Sequence, residues 1–299
     1  VLPRPSVPIS VWCYILITLL SYTCIKLYYL ANINYTIRND HKNEYKFILV
    51  WPNSTKFNVK EFDAVVFNAL DIKILQKNEL LKERSLKQKY IFAAYESAAY
   101  TPMCFEYFDG FFNLTWTYKL DSDIVATNIN IYDLQGNRVG PSVNMKWVKK
   151  MLPINEDLKS KLSNKFKAAA WVVKTLNQRE ELVKKLRVQL VRFGKKTIRQ
   201  WICNKLIENN YYFYLAFENS LASDYVTEEL LRALNHYAVP IVLLFYRFVP
   251  DSAYLDAREL GEVELAYKMN DIINNRTKFY DFFRWRNHYK YTIFGRRRA

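Results

Sequence analysis

The chain has 299 residues, enough for one large domain or two ordinary ones, and 51% of them are hydrophobic, which excludes a wholly disordered protein. The six glycines form neither a GxGxxG fingerprint nor a Walker lysine loop. The net charge of +15 suits either a polyanionic partner or a solvated basic surface, but no aromatic residues alternate with the lysines as in RNA-binding motifs. We therefore expect no nucleic-acid partner.

The N-terminal segment at 7–25, "VPISVWCYILITLLSYTCI", contains no charged side chain. A helix of this length spans about 28 Å, close to the hydrocarbon thickness of a bilayer. A cleavable signal peptide would have a shorter apolar region and a small-residue cleavage site. The segment therefore predicts a transmembrane signal-anchor, preceded by a cytoplasmic tail at 1–6 and followed by a stem at 26–45.

Four N-x-S/T triplets, at Asn34, Asn53, Asn113 and Asn275, all follow this apolar segment. Each triplet alone is a weak signal, because chance supplies several in any long chain. Together they predict N-glycosylation and a lumenal position for everything after the span, as in a single-pass type II membrane protein.

Short apolar runs rich in β-forming residues indicate strands at 46–51, 63–69, 89–96 and 111–118. A helix-like or irregular polar segment separates the second run from the third. A polar stretch near 125–145 follows the fourth run and is predicted to be a loop.

The pattern then restarts in the second half of the chain. We predict, in order, a strand at 167–174, helices at 178–193 and 197–209, a strand at 211–218, a helix at 227–237 and a strand at 238–245. Strands that alternate with helices favour parallel sheets with helical crossovers. The two blocks predict two α/β domains, at 46–150 and 151–299, that face each other across a cleft.

A polar cluster separates the strand at 211–218 from the helix that follows it. Its members are Asn219, Asp224, Tyr225, Thr227 and Glu228. Ligands of open α/β sheets bind beyond the C-terminal strand ends, where helix N-termini present free N–H groups. A carboxylate there can accept two ribose hydroxyls, and Arg179, at the equivalent edge of a neighbouring unit, is well placed to bind phosphate. Asp224 and Thr227 also suit plain helix caps, and Glu228 also suits the helix dipole.

The same residues resemble the signatures of the α1,3-fucosyltransferase family. "FYLAFENSLASDYVTEELL" resembles the family's FYL-x-FENS…DYVTEKL, and "FNLTWTYKLDSDI" is similar to its F-N-x-T-x-T-Y-R-x-D-S-D-I. Further segments match in order, namely "YES" at 95–97, "AAWVV" at 169–173, "VPIV" at 239–242 and "YDFFRWR" at 280–286. The resemblance covers roughly residues 46–286, and the chain looks like a divergent member of the insect C-like branch.

The resemblance implies a GT-B fold, in which two Rossmann-like domains face a cleft. The N-terminal domain would hold the acceptor glycan and the C-terminal domain would hold GDP-fucose. It also implies a Golgi membrane enzyme that moves L-fucose to the 3-hydroxyl of GlcNAc on glycoprotein or glycolipid glycans, with inversion. No tightly bound cofactor is implied, and manganese has no secure site, since only "DSD" at 121–123 has the letters of a metal motif.

Individual roles follow from the resemblance in the same way. Glu96 falls on the general base, and Arg179 falls on the arginine that neutralises the diphosphate. The other donor-binding positions are Tyr214, Asn219, Tyr225, Glu228, Val172 and Lys174. The acceptor stays open among core-linked GlcNAc, N-acetyllactosamine and LacdiNAc-type antennae.

Several positions depart from the family pattern. Glu229 replaces a lysine, which puts an anion beside the expected diphosphate, and each unit-charge interaction there is worth about 3 kcal/mol at about 5 Å. Lys174 is a candidate for the missing positive charge, and Cys104 and Cys203 are candidates for a disulfide. Glu229, the shortened loops and the lost glycine after "VPIV" leave an alternative open. That alternative is a degraded homologue, or an incomplete gene model, that binds glycan or nucleotide without turnover.

Overall fold

The computed structural model describes residues 47–50, 62–72, 87–172, 191–193, 200–243 and 247–293. The strands within them are β1 (Phe47–Val50), β2 (Ala64–Asn68), β3 (Lys89–Ala94), β4 (Leu114–Thr117), β5 (Ile124–Val125), β6 (Ile129–Asp133), β7 (Arg138–Gly140), β8 (Lys167–Val172), β9 (Val191–Phe193), β10 (Tyr211–Leu215), β11 (Val239–Val242), β12 (Leu255–Asp256) and β13 (Tyr289–Ile293). The helices are α1 (Ala69–Ile72), α2 (Glu156–Ser163), α3 (Gln200–Asn210), α4 (Glu228–Asn235), α5 (Ala257–Asn274) and α6 (Arg276–Asp281).

The first sheet contains β1 to β5 in chain order, and every neighbouring pair is parallel. This confirms the four strands predicted in the first half of the chain. Successive side chains point to opposite faces, so Val66 and Ile91 share one core cluster while Val65 and Tyr90 share another. The sheet is therefore covered by apolar side chains on both faces.

The second sheet has the order β12-β11-β10-β8-β9 and is also parallel throughout. Its central strand, "YYFYL", is buried at every residue, as expected for a parallel strand covered on both faces. The helices predicted at 197–209 and 227–237 are confirmed as α3 and α4. The predicted mixed α/β class with parallel sheets is confirmed.

The loop predicted near 125–145 is wrong. Strands β6 and β7 form a hairpin there, and β6 pairs antiparallel with β13 from the far end of the chain. This pairing joins residues about 160 positions apart, so no local sequence pattern predicts it. Ile129 and Ile131 are fully buried in the cluster that contains Tyr214 and Leu230. The hairpin thus packs with the second sheet, although it precedes the predicted boundary at 150.

The end of the helix predicted at 178–193 is also wrong. Residues Val191–Phe193 form β9 and pair in parallel with Ala170, Trp171 and Val172 of β8. The leucine periodicity that suggested a helix ends at Leu190, and the strand begins directly after it. Residues 173–190 lie outside the described part.

The membrane and cysteine predictions have different outcomes. The apolar segment at 7–25 lies outside the described residues, and no helix within them combines the length and apolar character that a bilayer crossing needs.

Cys104 and Cys203 do not pair, since both are free thiols in the structure. Cys203 is buried on α3, whereas Cys104 is exposed in the loop after β3.

Candidate active site

Two loops meet between the sheets, one after β3 and one after β10. Glu96 follows β3 by two residues, and Asn219 and Tyr225 belong to the loop between β10 and α4. The Tyr225 hydroxyl donates to Oε2 of Glu96 at 2.6 Å. The Tyr100 hydroxyl donates to the Asn219 carbonyl at 3.3 Å. The structure therefore brings three predicted site residues together from the two halves of the chain.

Further contacts fix the second loop against the first half. The Leu120 N–H donates to Asp224 Oδ2 at 3.3 Å, and Asn128 Nδ2 donates to the Val226 carbonyl at 2.9 Å. Asp224 has a φ of 61°, a left-handed conformation that aspartate tolerates better than most residues. Asp224 thus connects the loop after β10 to the loop after β4, and it does not cap α4.

Tyr225 is held in one orientation from several sides. Its ring is 2% exposed and packs edge to face against Tyr118, with ring centroids 5.0 Å apart. Burial raises the pKa of the Tyr225 phenol, and the hydrogen bond to Glu96 and the charge of that carboxylate raise it further. Asn219 also hydrogen-bonds to the phenol. The hydroxyl is consequently a neutral donor at physiological pH.

Glu96 faces open space on its other side. A cavity of about 280 Å³ lies over the C-terminal ends of β3 and β4. Its lining includes Glu96, Phe92, Thr101, Thr117, Tyr118 and Lys119. The carboxylate is part-exposed, so it can accept a proton from a hydroxyl group bound in this cavity.

Glu218 is a structural carboxyl at the end of the buried β10 segment. It is 2% exposed and accepts hydrogen bonds from the Thr227 N–H at 2.8 Å and from the Thr227 hydroxyl. Burial raises the pKa of Glu218 to about 8, against the opposing effect of these two hydrogen bonds. Thr227 in turn caps α4, because its side chain accepts from the Glu229 N–H. Thr227 is therefore the N-cap of α4, one of the roles that the sequence predicts for it.

Glu229 is not the unpaired anion that the sequence suggested. Its Oε2 accepts from Arg232 Nη1 at 2.7 Å and from the Tyr214 hydroxyl. Arg232 Nη1 also donates to the Tyr214 oxygen at 2.9 Å. The Glu229 and Arg232 side chains are only 15% and 7% exposed. The negative charge of Glu229 is therefore paired with a buried arginine one turn along the helix.

The remaining predicted donor positions are spread along the second sheet. Tyr214 is fully buried on β10, with its hydroxyl inside the group formed with Glu229 and Arg232. Glu228 is exposed at the first residue of α4, and Val172 ends β8. Their contacts with a donor stay predictions. Arg179 and Lys174 lie outside the described residues.

Acidic residues elsewhere already have protein partners. In the "DSD" segment, Asp123 accepts from the Thr115 N–H and hydroxyl, each at 2.8 Å, and these bonds lower its pKa. Asp121 pairs with Lys119 at 3.0 Å. Across the described ranges, no group of three or more His, Cys, Asp or Glu side chains is arranged to hold a metal ion.

Two of the predicted glycosylation sites lie in the described structure. Asn113 is exposed, and its Oδ1 accepts from the Tyr90 N–H at 2.8 Å. Asn275 is also exposed and caps α6, since its Oδ1 accepts from the Lys278 N–H at 3.1 Å. Glycosylation at both stays a prediction, and Asn34 and Asn53 lie outside the described residues.

Two family models match the chain. "Fucosyltransferase, N-terminal" matches residues 41–128, and "Glycosyltransferase family 10 (fucosyltransferase) C-term" matches residues 162–298. The first match includes Glu96 and the second includes Asn219 and Tyr225.

Curated proteins and a solved structure resemble this chain over longer stretches than either family model. "Alpha-(1,3)-fucosyltransferase C" of Drosophila melanogaster is 36% identical over 199 residues, which are 61% of this chain and 47% of that protein. "4-galactosyl-N-acetylglucosaminide 3-alpha-L-fucosyltransferase FUT6" of Pan troglodytes is 31% identical over 195 residues, 60% of this chain and 49% of that protein. The chain therefore spans about half the length of these curated relatives. The "Crystal Structure of alpha1,3-Fucosyltransferase with GDP" has a TM-score of 0.46 at 14% identity, covering 77% of this chain and 70% of that one.

Proposed function

The chain belongs to glycosyltransferase family 10, the fucosyltransferases, and on that premise we propose that it transfers L-fucose from GDP-fucose to the 3-hydroxyl of GlcNAc. The acceptor is a GlcNAc of a glycoprotein or glycolipid glycan, and the anomeric configuration inverts. The single observation that supports this most is the Glu96 carboxylate, which faces a cavity while a hydroxyl from the other half of the chain holds it.

The two parallel sheets suit a GT-B arrangement, in which one sheet binds the acceptor and the other binds the donor. We assign the acceptor to the side of the first sheet, because Glu96 and its cavity lie at the ends of β3 and β4. We assign GDP-fucose to the C-terminal edge of the second sheet, where Asn219, Tyr225 and Glu228 lie near the start of α4. Donor and acceptor would then meet between the two loops.

In this proposal Glu96 acts as the general base. It takes the proton of the acceptor 3-hydroxyl while the acceptor oxygen attacks the anomeric carbon of fucose from the face opposite to GDP. The new carbon–oxygen bond forms as the bond to the GDP phosphate oxygen breaks, and GDP leaves with the bonding electron pair. Tyr225 keeps one carboxylate oxygen fixed, so the other is aimed at the acceptor.

The donor contacts are assigned by position. Arg179 and Lys174 would balance the charge that grows on the diphosphate, and Glu228 would accept the ribose hydroxyls. Val172 would pack near the donor at the end of β8. Tyr214 would act from below α4, through Glu229 and Arg232.

We also propose a location, the Golgi membrane, with a single type II span at 7–25 and the folded part in the lumen. The uncharged segment and the four downstream triplets at Asn34, Asn53, Asn113 and Asn275 support it. Glycosidase treatment tests the orientation, since a mobility shift that disappears when the four asparagines become glutamine places them in the lumen.

Calorimetry with GDP-fucose on the full chain, run beside a fucose-transfer assay, tests the proposed activity. Binding together with transfer to a GlcNAc acceptor is the expected result. Binding without transfer would instead identify a homologue that no longer turns over. Absence of binding at millimolar GDP-fucose would reject the proposed enzyme activity.

A further inference from the structure

A second cavity, of about 450 Å³, lies beside the first sheet. Its walls come from Phe92 of β3 and from the loop that precedes β4. Glu96 lines a different cavity, and the proposed transfer reaction gives this second cavity no role. The residue types in its walls therefore indicate which kind of ligand it suits.

A 3₁₀ turn at Glu106–Phe108 arranges four of the wall residues. The Phe108 N–H donates to the Phe105 carbonyl at 2.9 Å. The Asp109 N–H donates to the Glu106 carbonyl at 3.0 Å. Side chains three positions apart in such a turn stand one above the other. The turn therefore aligns Phe105 with Phe108. It also aligns Glu106 with Asp109, so a pair of rings and a pair of carboxylates line one cavity.

Stacking holds the aromatic rings of this cavity in place. Phe105 stacks on Tyr107, with ring centroids 5.2 Å apart and an interplanar angle of 16°. Phe108 stacks on Phe112, with ring centroids 5.5 Å apart. Phe105 remains 43% exposed, so the ring face that Tyr107 leaves uncovered is open to a ligand. The face of an aromatic ring carries partial negative charge and attracts a cation.

Two carboxylates add full negative charge to the same cavity. Glu106 and Asp109 are both exposed, and both line it. Among the described residues that line the cavity there is no lysine, arginine or histidine, although the whole chain carries a net charge of +15. The local charge therefore repels an anion and attracts a cation.

The aromatic walls decide which cation fits best. A primary ammonium group carries three N–H donors, which lose their hydrogen bonds to water when the group packs against apolar rings. A quaternary ammonium group has no N–H donor to satisfy, and aromatic cages are a characteristic site for it in proteins. We propose that this cavity binds a trimethylammonium group, with Phe105 as the facing ring and Glu106 and Asp109 as the counter-charges. This site requires neither GDP-fucose nor an acceptor glycan.

Protection of Cys104 tests the site on the full chain, because this exposed thiol also lines the cavity. Choline chloride at saturation should slow its labelling by N-ethylmaleimide at least about fivefold, relative to the same concentration of potassium chloride. The neutral isostere 3,3-dimethylbutan-1-ol should leave the rate unchanged, because it has the shape of choline without the charge. Peptide mass spectrometry distinguishes Cys104 from the buried Cys203, whose labelling should stay slow throughout.

Substitutions test whether the protection arises in this cavity. Phe105→Ala should remove the protection by choline. Glu106→Gln combined with Asp109→Asn should also remove it, since the amides keep the side-chain shapes and lose both charges. Phe166→Ala, which removes a ring that is 70% exposed beside the second sheet, should keep the protection.

Equal labelling rates in choline chloride and potassium chloride, or equal protection by the neutral isostere, would overturn the cation site. Protection that survives Phe105→Ala would overturn it as well. Stronger protection by ethanolamine than by choline would contradict the choice of a quaternary ammonium group. Failure of the wild type to transfer fucose rejects the proposed enzyme activity separately, since the labelling of Cys104 needs no transfer.

Discussion

The hydroxyl of Tyr225 lies 2.6 Å from Oε2 of Glu96, although the two residues are 129 positions apart in the chain. One residue follows the third strand of the first sheet, and the other lies in the loop before α4 of the second. A hydrogen bond across this junction holds the Glu96 carboxylate at the wall of its cavity. The proposed base is therefore positioned by the half of the chain that is assigned to the donor.

Tyr225→Phe should separate positioning from packing. The variant keeps the ring against Tyr118 but loses the hydroxyl, so we expect kcat for fucose transfer to fall about tenfold to a hundredfold. The melting temperature should stay within about 2 °C, because little apolar contact is lost. Steady-state kinetics and thermal unfolding measure the two effects. Tyr267→Phe, on a side chain 70% exposed on α5, is the matched control, and an equal kcat for the two variants would refute the positioning role.

Glu229→Lys should destabilise the protein, although the family pattern has a lysine at this position. The substitution puts a second cation beside the buried Arg232 and removes the acceptor of the Tyr214 hydroxyl. Breaking a buried pair costs about 3–5 kcal/mol, which corresponds to a fall in melting temperature of about 5 °C or more. Glu228→Lys, at the exposed neighbouring position, should change it by less than about 2 °C. A melting temperature of Glu229→Lys equal to that of the wild type would show that this buried group contributes nothing.

Glu218→Gln should change how stability depends on pH. Burial raises the pKa of Glu218 from 4.5 to about 8. The stability that its protonated side chain contributes is therefore fully present below pH 4.5, and it is lost as the pH rises through about 8. The wild type and the variant should therefore melt at similar temperatures at pH 4, below both values. At pH 8.5 the variant should melt a few degrees higher, because glutamine carries no buried charge. Thermal unfolding at both values measures this, and a constant difference between the two proteins would contradict the assignment.

Sequence patterns predicted the parts of the fold that depend on local order. The apolar runs of β2, β3 and β10 carry their own strand signal, and the segment at 213–231 carries the site residues in fixed spacing. The sequence does not predict the pairing of β6 with β13, because the partners lie about 160 positions apart in the chain and β6 is interrupted by polar residues. Non-local pairing of this kind leaves no periodic signal.

The candidate site also has parts that local sequence predicts and parts that depend on the fold. Glu96 and Tyr225 could be named individually, but their contact depends on how two loops meet. The pairing of Glu229 with Arg232 was readable as an i, i+3 pair of opposite charges on a helix. That Tyr214 lies beneath it follows only from the packing of α4 on β10. Glu218 had one signal, a carboxyl directly after an unbroken apolar run, and its buried position explains its raised pKa.

The most direct measurement is fucose transfer from GDP-fucose to GlcNAc-bearing glycans by the full chain, compared among the wild type, Glu96→Gln and Glu264→Gln. We expect Glu96→Gln to bind GDP-fucose with an unchanged Kd while its kcat falls at least about a hundredfold, because the amide cannot take the acceptor proton. Glu264→Gln, which removes an exposed carboxylate on α5, should match the wild type. Transfer by Glu96→Gln at the wild-type rate would contradict the role of Glu96 as the general base.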